Sequence, residues 1–262
     1  MSMILPRIAL ASVSILALAA TAQAAPAVGL VGDKTLVMFD TETLEVSGTA
    51  EVADVTTIIG FDVRPADGKL YGVAGDGTVV TIDPATGAAA RVSQLATTLP
   101  EGVSASVDFN PVADRLRVMG SDGTNLRANV DDGMVTVDGN LAFEGTDMHA
   151  GETPNIVATA YTNSIGKPEA TAMYDIDATI VALIRQTAPN DGTLAAIGKL
   201  GIDASDSYGF DIHATAVDAN TAYLSAGGML YTVDLETGAT TELGAITGLD
   251  GALRDIAILP AM

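Results

Sequence analysis

Cysteine and tryptophan are both missing from this 262-residue chain, and histidine occurs only twice. Without cysteine there can be no disulfide, no thiolate nucleophile and no Cys-ligated metal. Aromatic residues make up only 4% of the chain, so flat rings for stacking sugars or bases are scarce. Lys and Arg total 12 against 33 Asp and Glu, a formal net charge of −21. Such a surface repels a phosphate backbone, which argues against nucleic acid as a partner. The sequence has no Gly-x-Ser-x-Gly elbow to carry a nucleophilic serine. The stretch from Gly192 to Gly198-Lys199 is one residue too long for a phosphate-binding loop and runs into Leu200.

What the chain does have is 48% hydrophobic residues and 27 glycines, enough to bury one sizeable core with many tight turns. Its first 24 residues read as an export signal. Arg7 precedes an apolar run from Ile8 to Ala20, and Ala22-Gln23-Ala24 has the small-x-small form of a cleavage site. The other reading, an uncleaved membrane anchor, would need about 20 apolar residues, more than this run offers. Cleavage before Ala25 leaves residues 25–262 as one predicted domain, with no membrane span, in a bacterial periplasm or outside the cell. The lack of cysteine suits either place.

The remainder is a repeat. Arg64-Pro65-Ala66-Asp67-Gly68-Lys69-Leu70 matches Asn110-Pro111-Val112-Ala113-Asp114-Arg115-Leu116 at an offset of 46, and Asp76-Gly77-Thr78 matches Asp122-Gly123-Thr124 at the same offset. A looser motif recurs at Asp40-Thr41-Glu42-Thr43, Asp83-Pro84-Ala85-Thr86-Gly87 and Asp234-Leu235-Glu236-Thr237-Gly238. There an Asp opens a hairpin turn and a Gly takes positive φ. A third marker puts an Asp in an alternating run at Asp62, Asp108, Asp211 and Asp255, with Ala160 in the equivalent run Val157–Tyr161.

Five such starts, each followed by short alternating strands, predict a five-bladed β-propeller. The last start, Leu253–Leu259, has no room for three more strands. The predicted strands Val28–Val31, Leu36–Asp40 and Leu44–Val52 would complete its blade from the other end of the chain, removing an open sheet edge. A six-bladed ring and a pair of β-sandwiches are the alternatives.

The run Asp108-Phe109-Asn110-Pro111-Val112-Ala113-Asp114-Arg115-Leu116-Arg117-Val118, with Asn125-Leu126-Arg127-Ala128-Asn129-Val130-Asp131 after it, resembles the bacterial family called domain of unknown function 4394. So do Tyr174-Asp175-Ile176-Asp177, Pro189-Asn190-Asp191-Gly192-Thr193-Leu194 and Gly209-Phe210-Asp211-Ile212. The resemblance covers nearly all of residues 25–262 and implies an exported, propeller-like domain. It brings no catalytic residue with it. Ala128 stands where a bulkier apolar residue is expected.

Two clusters are candidate sites. First strands of propeller blades line the central channel, so Asp62, Asp108, Asp211 and Asp255 would converge there. Arg64, Asn110 and His213 stand two residues further along the same faces. The four carboxylates would suit a hard cation, with calcium the one cofactor considered, or a small polar ligand. Alternatively each Asp bonds backbone N–H groups of the neighbouring strand, or pairs with Arg64 or Arg254. The second cluster, Arg115, Arg117 and Arg127 with Asn125 and Asn129, suits either an anion or ion pairs between blades. His149 and His213 lie 64 residues apart, a spacing that points to no shared metal. Asp175 with Asp177 and Asp131 with Asp132 are expected at turns.

A strong repeat with weak catalytic signals favours a non-enzymatic binding module for a small molecule or a partner in the envelope or outside the cell. A metal-dependent hydrolase or lyase at the channel, using the Asp ring with His213, is the alternative.

Overall fold

The computed structural model describes residues 25–260, so the proposed export signal lies outside the described residues. Among these residues there are strands and turns but no helix. The chain opens with β1 (Pro26–Val31), β2 (Thr35–Asp40) and β3 (Val46–Glu51). The next sheet holds β4 (Ile58–Val63), β5 (Leu70–Ala74), β6 (Thr78–Ile82) and β7 (Ala89–Gln94). It is followed by β8 (Ala105–Asn110), β9 (Arg115–Gly120), β10 (Asn125–Ala128) and β11 (Val135–Val137). A short β12 (Ala142–Phe143) then runs parallel to the edge of a sheet made of β13 (Ile156–Tyr161), β14 (Met173–Asp177), β15 (Ala182–Ala188) and β16 (Thr193–Lys199). The fourth meander is β17 (Tyr208–Ala216), β18 (Ala219–Ala226), β19 (Met229–Val233) and β20 (Thr240–Ala245). Finally β21 (Leu253–Ile258) pairs antiparallel with β1, giving a sheet in the order β21-β1-β2-β3.

This is a five-bladed propeller, with β4, β8, β13, β17 and β21 innermost. Each blade hides both faces against its neighbours, because a meander of alternating residues has an apolar side chain to bury on either face. The core therefore comes as five layers, one per junction. Phe61, Ile58 and Leu70 pack on Val28, Leu30 and Leu36. Tyr71 and Val73 pack on Val107, Phe109 and Leu116. Met119 meets Tyr161, Met173 and Ile184, and Ala160 and Ile176 meet Phe210 and Leu224. Tyr223 and Leu230 close against Phe39 and Ile256. Each such large side chain contributes roughly 1.5–3 kcal/mol when fully buried. Five layers between five sheets leave no place for a sixth blade or for two stacked sandwiches.

A second fastening repeats around the rim. The chain leaving each outer strand hydrogen-bonds to a hairpin turn of the next blade: Ala53 to Gly87, Ala96 to Gly133, Gly139 to Asn190, Thr240 to Leu200 and Thr247 to Leu44. Asp40, Asp83 and Asp234 each accept two backbone N–H bonds across their turns, as the motif predicts. The turn glycine is required twice over. At Gly133 φ is +75°, and a Cβ would lie 1.9 Å from the Gln94 carbonyl oxygen of the preceding blade.

One turn departs from the pattern. Leu44 holds the position of that glycine, with φ +56°, and is buried beside Phe39 and Ile246. A left-handed leucine costs about 1–2 kcal/mol, which the burial of its side chain offsets. It also explains why β3 begins at Val46 rather than at Leu44 as expected.

Replacing Gly133 with Ala forces the outer strand of one blade away from the turn of the next. A loss of at least ~2 kcal/mol is expected, seen as a lower urea midpoint. An unchanged midpoint would show that the rim contact does not bear on stability.

Candidate functional site

The inner strand of a blade is a sheet edge, so its outward N–H groups have no strand partner and lie where water is scarce. Carboxylates fill that need. Asp62 Oδ2 accepts from Phe109 N–H (2.8 Å), Asp108 Oδ1 from Tyr161 N–H (3.0 Å) and Asp211 Oδ2 from Ile258 N–H (2.5 Å). Asp255 Oδ2 accepts from Phe61 N–H (2.9 Å). Asp62, Asp211 and Asp255 each also accept the N–H of the next residue on their own strand. Four of the five junctions are thus tied by an aspartate reaching into the next blade.

These bonds correct the register expected for the ring. Phe109, Tyr161 and Ile258 each lie one residue after the ring position of their strand, so the positions that share a level are Asp62, Asp108, Ala160, Asp211 and Ala257. Asp255 sits one rung away. It bonds Phe61, on the other side of Asp62, and its Oδ2 would lie 3.1 Å from a Cβ placed on Gly60. Carboxylate oxygens of Asp62, Asp108 and Asp211 come within 4.8 Å of one another, without Asp255.

At the junction from β13 to β17 no inner-strand carboxylate reaches across, because Ala160 occupies the ring. Asn163 takes over. Its backbone N–H donates to Asn220 Oδ1 (2.7 Å), its Oδ1 accepts from Asp218 N–H (2.7 Å), and its Nδ2 donates to Asp218 Oδ1 (3.2 Å). Both Asn163 and Asp218 adopt positive φ to do so. No repeat marker signals this device, since it lies in turns that differ from blade to blade.

All four ring aspartates are at least 92% hidden from solvent. Burial raises the carboxyl of Asp62, and the charge of Asp211 adds to it. Burial likewise raises Asp108, helped by Asp62 and Asp211. It pushes Asp211 up to about 6 and Asp255 up to about 7.

Arg64 leaves the channel. Its guanidinium grips Asp114 (2.7 and 2.8 Å) and Asp131 (2.8 and 2.9 Å), both in turns of the next blade, and lies over the Tyr71 ring. These bonds raise its already high pKa further. Asn110 caps the turn after β8, accepting from Val112 and Ala113 N–H. Among the described residues Arg254 pairs with no aspartate; it donates to the backbone carbonyls of Gly32, Asp33, Ile58 and Ile59. His213 is half-buried at one mouth of the channel, where it shares a cavity of about 410 Å³ with Asp62, Asp211, Ser164, Ile165 and Pro260. Desolvation lowers its pKa and so favours the neutral ring. His149 lies in the loop before β13, against Glu152 (3.0 Å) and Phe143.

The second cluster is closed by a residue the sequence did not single out. Asp138 accepts from Arg117 Nη1 (2.5 Å) and takes Arg127 in a two-point grip (3.0 Å each). Arg117, only 2% exposed, also donates to Tyr161, Asn125 and Asn190, so it ties its blade to the next. Burial pushes the Asp138 carboxyl upward, but the bonds from Arg127 and Arg117 outweigh it and hold the pKa below its usual value. Arg115 turns to the carbonyls of Ala113 and Asp114, and Asn129 opens a turn. The five residues therefore do not form an open anion cradle.

Asp175 is not at a turn as expected but in the middle of β14, fully buried between Thr159 Oγ1 (2.6 Å) and Gln186 Nε2 (2.9 Å). Burial drives its carboxyl up to about 7 despite those bonds. Asp177 does cap the following turn, accepting from Thr179 and Ile180 N–H.

Residues 35–257 match the family described as Domain of unknown function (DUF4394). The chain belongs to that family. No protein of curated function matches it. Among solved structures it is similar to a protein of unknown function from Bacteroides thetaiotaomicron, with 18% identity and a TM-score of 0.55, over 91% of this chain and 65% of that one. The DUF4394 chain thus spans just under two thirds of that relative. It also resembles a protein of unknown function from Bacteroides caccae (11% identity, TM-score 0.45, 90% of this chain and 100% of that one). An auxiliary nutrient binding protein from Bacteroides thetaiotaomicron is similar at 12% identity and a TM-score of 0.46, over 75% and 56% of the two chains. At such identities the likeness concerns the fold.

Two predictions follow from the buried charges. Asp138→Ala strips Arg117 of its buried carboxylate, so stability should fall by about 3–5 kcal/mol; a denaturant midpoint equal to that of the native protein would refute the clamp. Asp175 binds its proton more tightly folded than unfolded. Its contribution to stability is therefore full below the unfolded value near 3.8 and is lost as pH rises towards about 7. Asp175→Asn should accordingly gain on the native protein in melting temperature between pH 4 and 8. Parallel pH profiles would show that Asp175 does not titrate in that window.

Proposed function

We propose that this DUF4394 protein is an exported, non-enzymatic binding module whose ligand lies on the face formed by the loops between blades. One observation carries this reading. The side chains best suited to chemistry are committed to holding blades together, while a recess of about 1020 Å³ lies between two connecting loops. Its walls are the loop after β3 (Asp54, Val55, Thr57) and the loop after β7 (Thr98, Leu99, Val103). Thr57, Ile59 and Val103 also line a neighbouring cavity of about 410 Å³ with Ser207, Tyr208 and Arg254 at the channel's mouth. Loops on a rigid scaffold are where recognition is usually placed. The mix of hydroxyl, aliphatic and acidic side chains suits a small polar molecule, or a segment of an envelope or extracellular partner.

The hydrolase or lyase reading draws on the opposite cavity, where Asp62, Asp211 and His213 meet. It is the weaker one. Both carboxylates already accept two backbone N–H groups, and among the described residues no hydrogen bond orients the His213 ring as a base.

The test is capture from a periplasmic extract or culture medium with purified protein and with Val103→Trp and Thr98→Trp, which fill the recess. Loss of a specific partner or small molecule in both variants, with unchanged melting temperatures, is the expected result. Capture that survives both substitutions, or turnover of a substrate by the purified protein, overturns the proposal.

A further inference from the structure

We propose that the channel mouth where the five inner strands begin binds a small molecule through its carboxylate, with Arg254 as the group that holds it. The inference rests on the reading of the loop face as the binding face, and adds the chemical class of ligand at its centre. The cavity there, about 410 Å³, takes residues from all five blades. Thr57 precedes β4, Ser104 precedes β8, Asn155 precedes β13, Ser207 precedes β17, and Arg254 lies near the start of β21. A concave site on the axis of a closed ring is held from every side, as ligand sites usually are.

Arg254 calls for an anion. A guanidinium has five N–H groups. Nε donates to the Gly32 carbonyl (2.6 Å), Nη2 to the carbonyls of Asp33 (3.1 Å) and Ile58, and Nη1 to that of Ile59 (3.3 Å). One N–H on Nη1 therefore has no acceptor among the described residues, and the bond to Ile59 is long. Carbonyls satisfy donors but do not cancel a charge. Asp33 and Asp255 act on the guanidinium through space, yet neither belongs to an ion pair among the described residues. Arg64 and Arg117, the other arginines that tie blades together, are both closed by carboxylates. A half-buried cation without a counter-ion is a costly arrangement, and an oxyanion in the cavity relieves it.

Further donors line the same space. The Ser104 and Ser121 hydroxyls and the Asn155 amide border the cavity, and none of these side chains makes a hydrogen bond among the described residues. Ile59, Val103, Val157 and Tyr208 supply apolar wall for a short carbon skeleton.

Charge selects the class of anion. A chain of net charge −21 repels anions at long range, the more so the higher their charge. Asp206 also borders the cavity. A single guanidinium with one free N–H therefore matches a monoanionic carboxylate better than a dianionic phosphate, and the bond it forms is charge-assisted.

The experiment titrates the purified protein with a panel of small aliphatic carboxylic acids, each beside its primary amide, and with inorganic phosphate. Binding is read by calorimetry and melting temperature. At least one acid is expected to bind one to one and to raise Tm by about 3 °C at roughly ten times its Kd. Its amide should bind about tenfold more weakly or worse, and phosphate should bind more weakly than the acid. Arg254→Gln should reduce affinity for the acid about tenfold or more. Arg254 also ties β21 to β4, so Ser104→Trp, which fills the cavity and leaves Arg254 in place, serves if the first variant does not fold; it should abolish binding. Glu236→Gln, in an exposed turn, should leave binding unchanged. No stabilisation by any acid at about 10 mM overturns the proposal. So does an amide or phosphate that binds as tightly as the acid, or binding undiminished in Arg254→Gln or Ser104→Trp. The wider reading of the loop face fails separately, when capture survives Thr98→Trp and Val103→Trp whatever the acids do.

Discussion

Five β-meanders arranged around an axis must hide five sheet edges in a narrow space, and the backbone N–H groups on those edges must still find acceptors. This is the constraint on which the structure depends. Buried amide groups left unpaired cost as much as the contacts around them supply. The inner-strand aspartates meet the need with a side chain of the right length: each reaches an N–H of the next blade, and Asp62, Asp211 and Asp255 also hold an N–H of their own strand. Carboxylates are strong acceptors when ionised, yet burial favours their neutral form. Fastening the blades therefore comes at an electrostatic cost, seen in the raised carboxyls of Asp62, Asp108, Asp211 and Asp255.

The rim works by different means. There the fastening is backbone to backbone, and the close approach of two chains demands a glycine at the turn. Leu44 shows that the demand can be met another way, by a left-handed leucine whose side chain is driven into the apolar layer beside Ile246. Arginines form a third set of ties. Arg64 and Arg117 both cross to the next blade, Arg64 to the acidic turns of Asp114 and Asp131 and Arg117 to the Asn190 side chain and the Tyr161 hydroxyl. In a chain so short of basic residues, using them in this way leaves the outer surface strongly acidic. The polar resources of the sequence go largely into closing the ring, and recognition is left to the loops between blades.

Much of the architecture was legible because a repeat prints its period on the sequence. The offset of 46 residues between Arg64–Leu70 and Asn110–Leu116 gave the blade, and the Asp-x-x-Thr-Gly turns gave its hairpins. The register of the ring left only a trace in the spacing, which acquires its meaning from the hydrogen bonds across the channel. Asp211 and Asp255 are 44 residues apart, two short of the repeat, and two residues along a strand is one rung. The position 46 after Asp211 is Ala257, which is where the hydrogen bond to Ile258 places the ring. Asp138 was not legible, because a carboxylate just beyond a short outer strand looks like any other of the 33 acidic residues until folding sets it between two arginines.

The sequence by itself determined the class of fold, the number of blades and the residues that recur in each, because alternation, turn chemistry and period are local properties that repetition amplifies. Tertiary structure alone decided which of those residues meet. Three of four repeated aspartates share a level, Arg64 turns away from the axis it was expected to line, and Asp175 lies in a core rather than a turn. The reason is geometric. Contacts across a ring depend on the stagger of separate strands, and a shift of two residues, invisible in composition, moves a charge from one rung of the channel to the next.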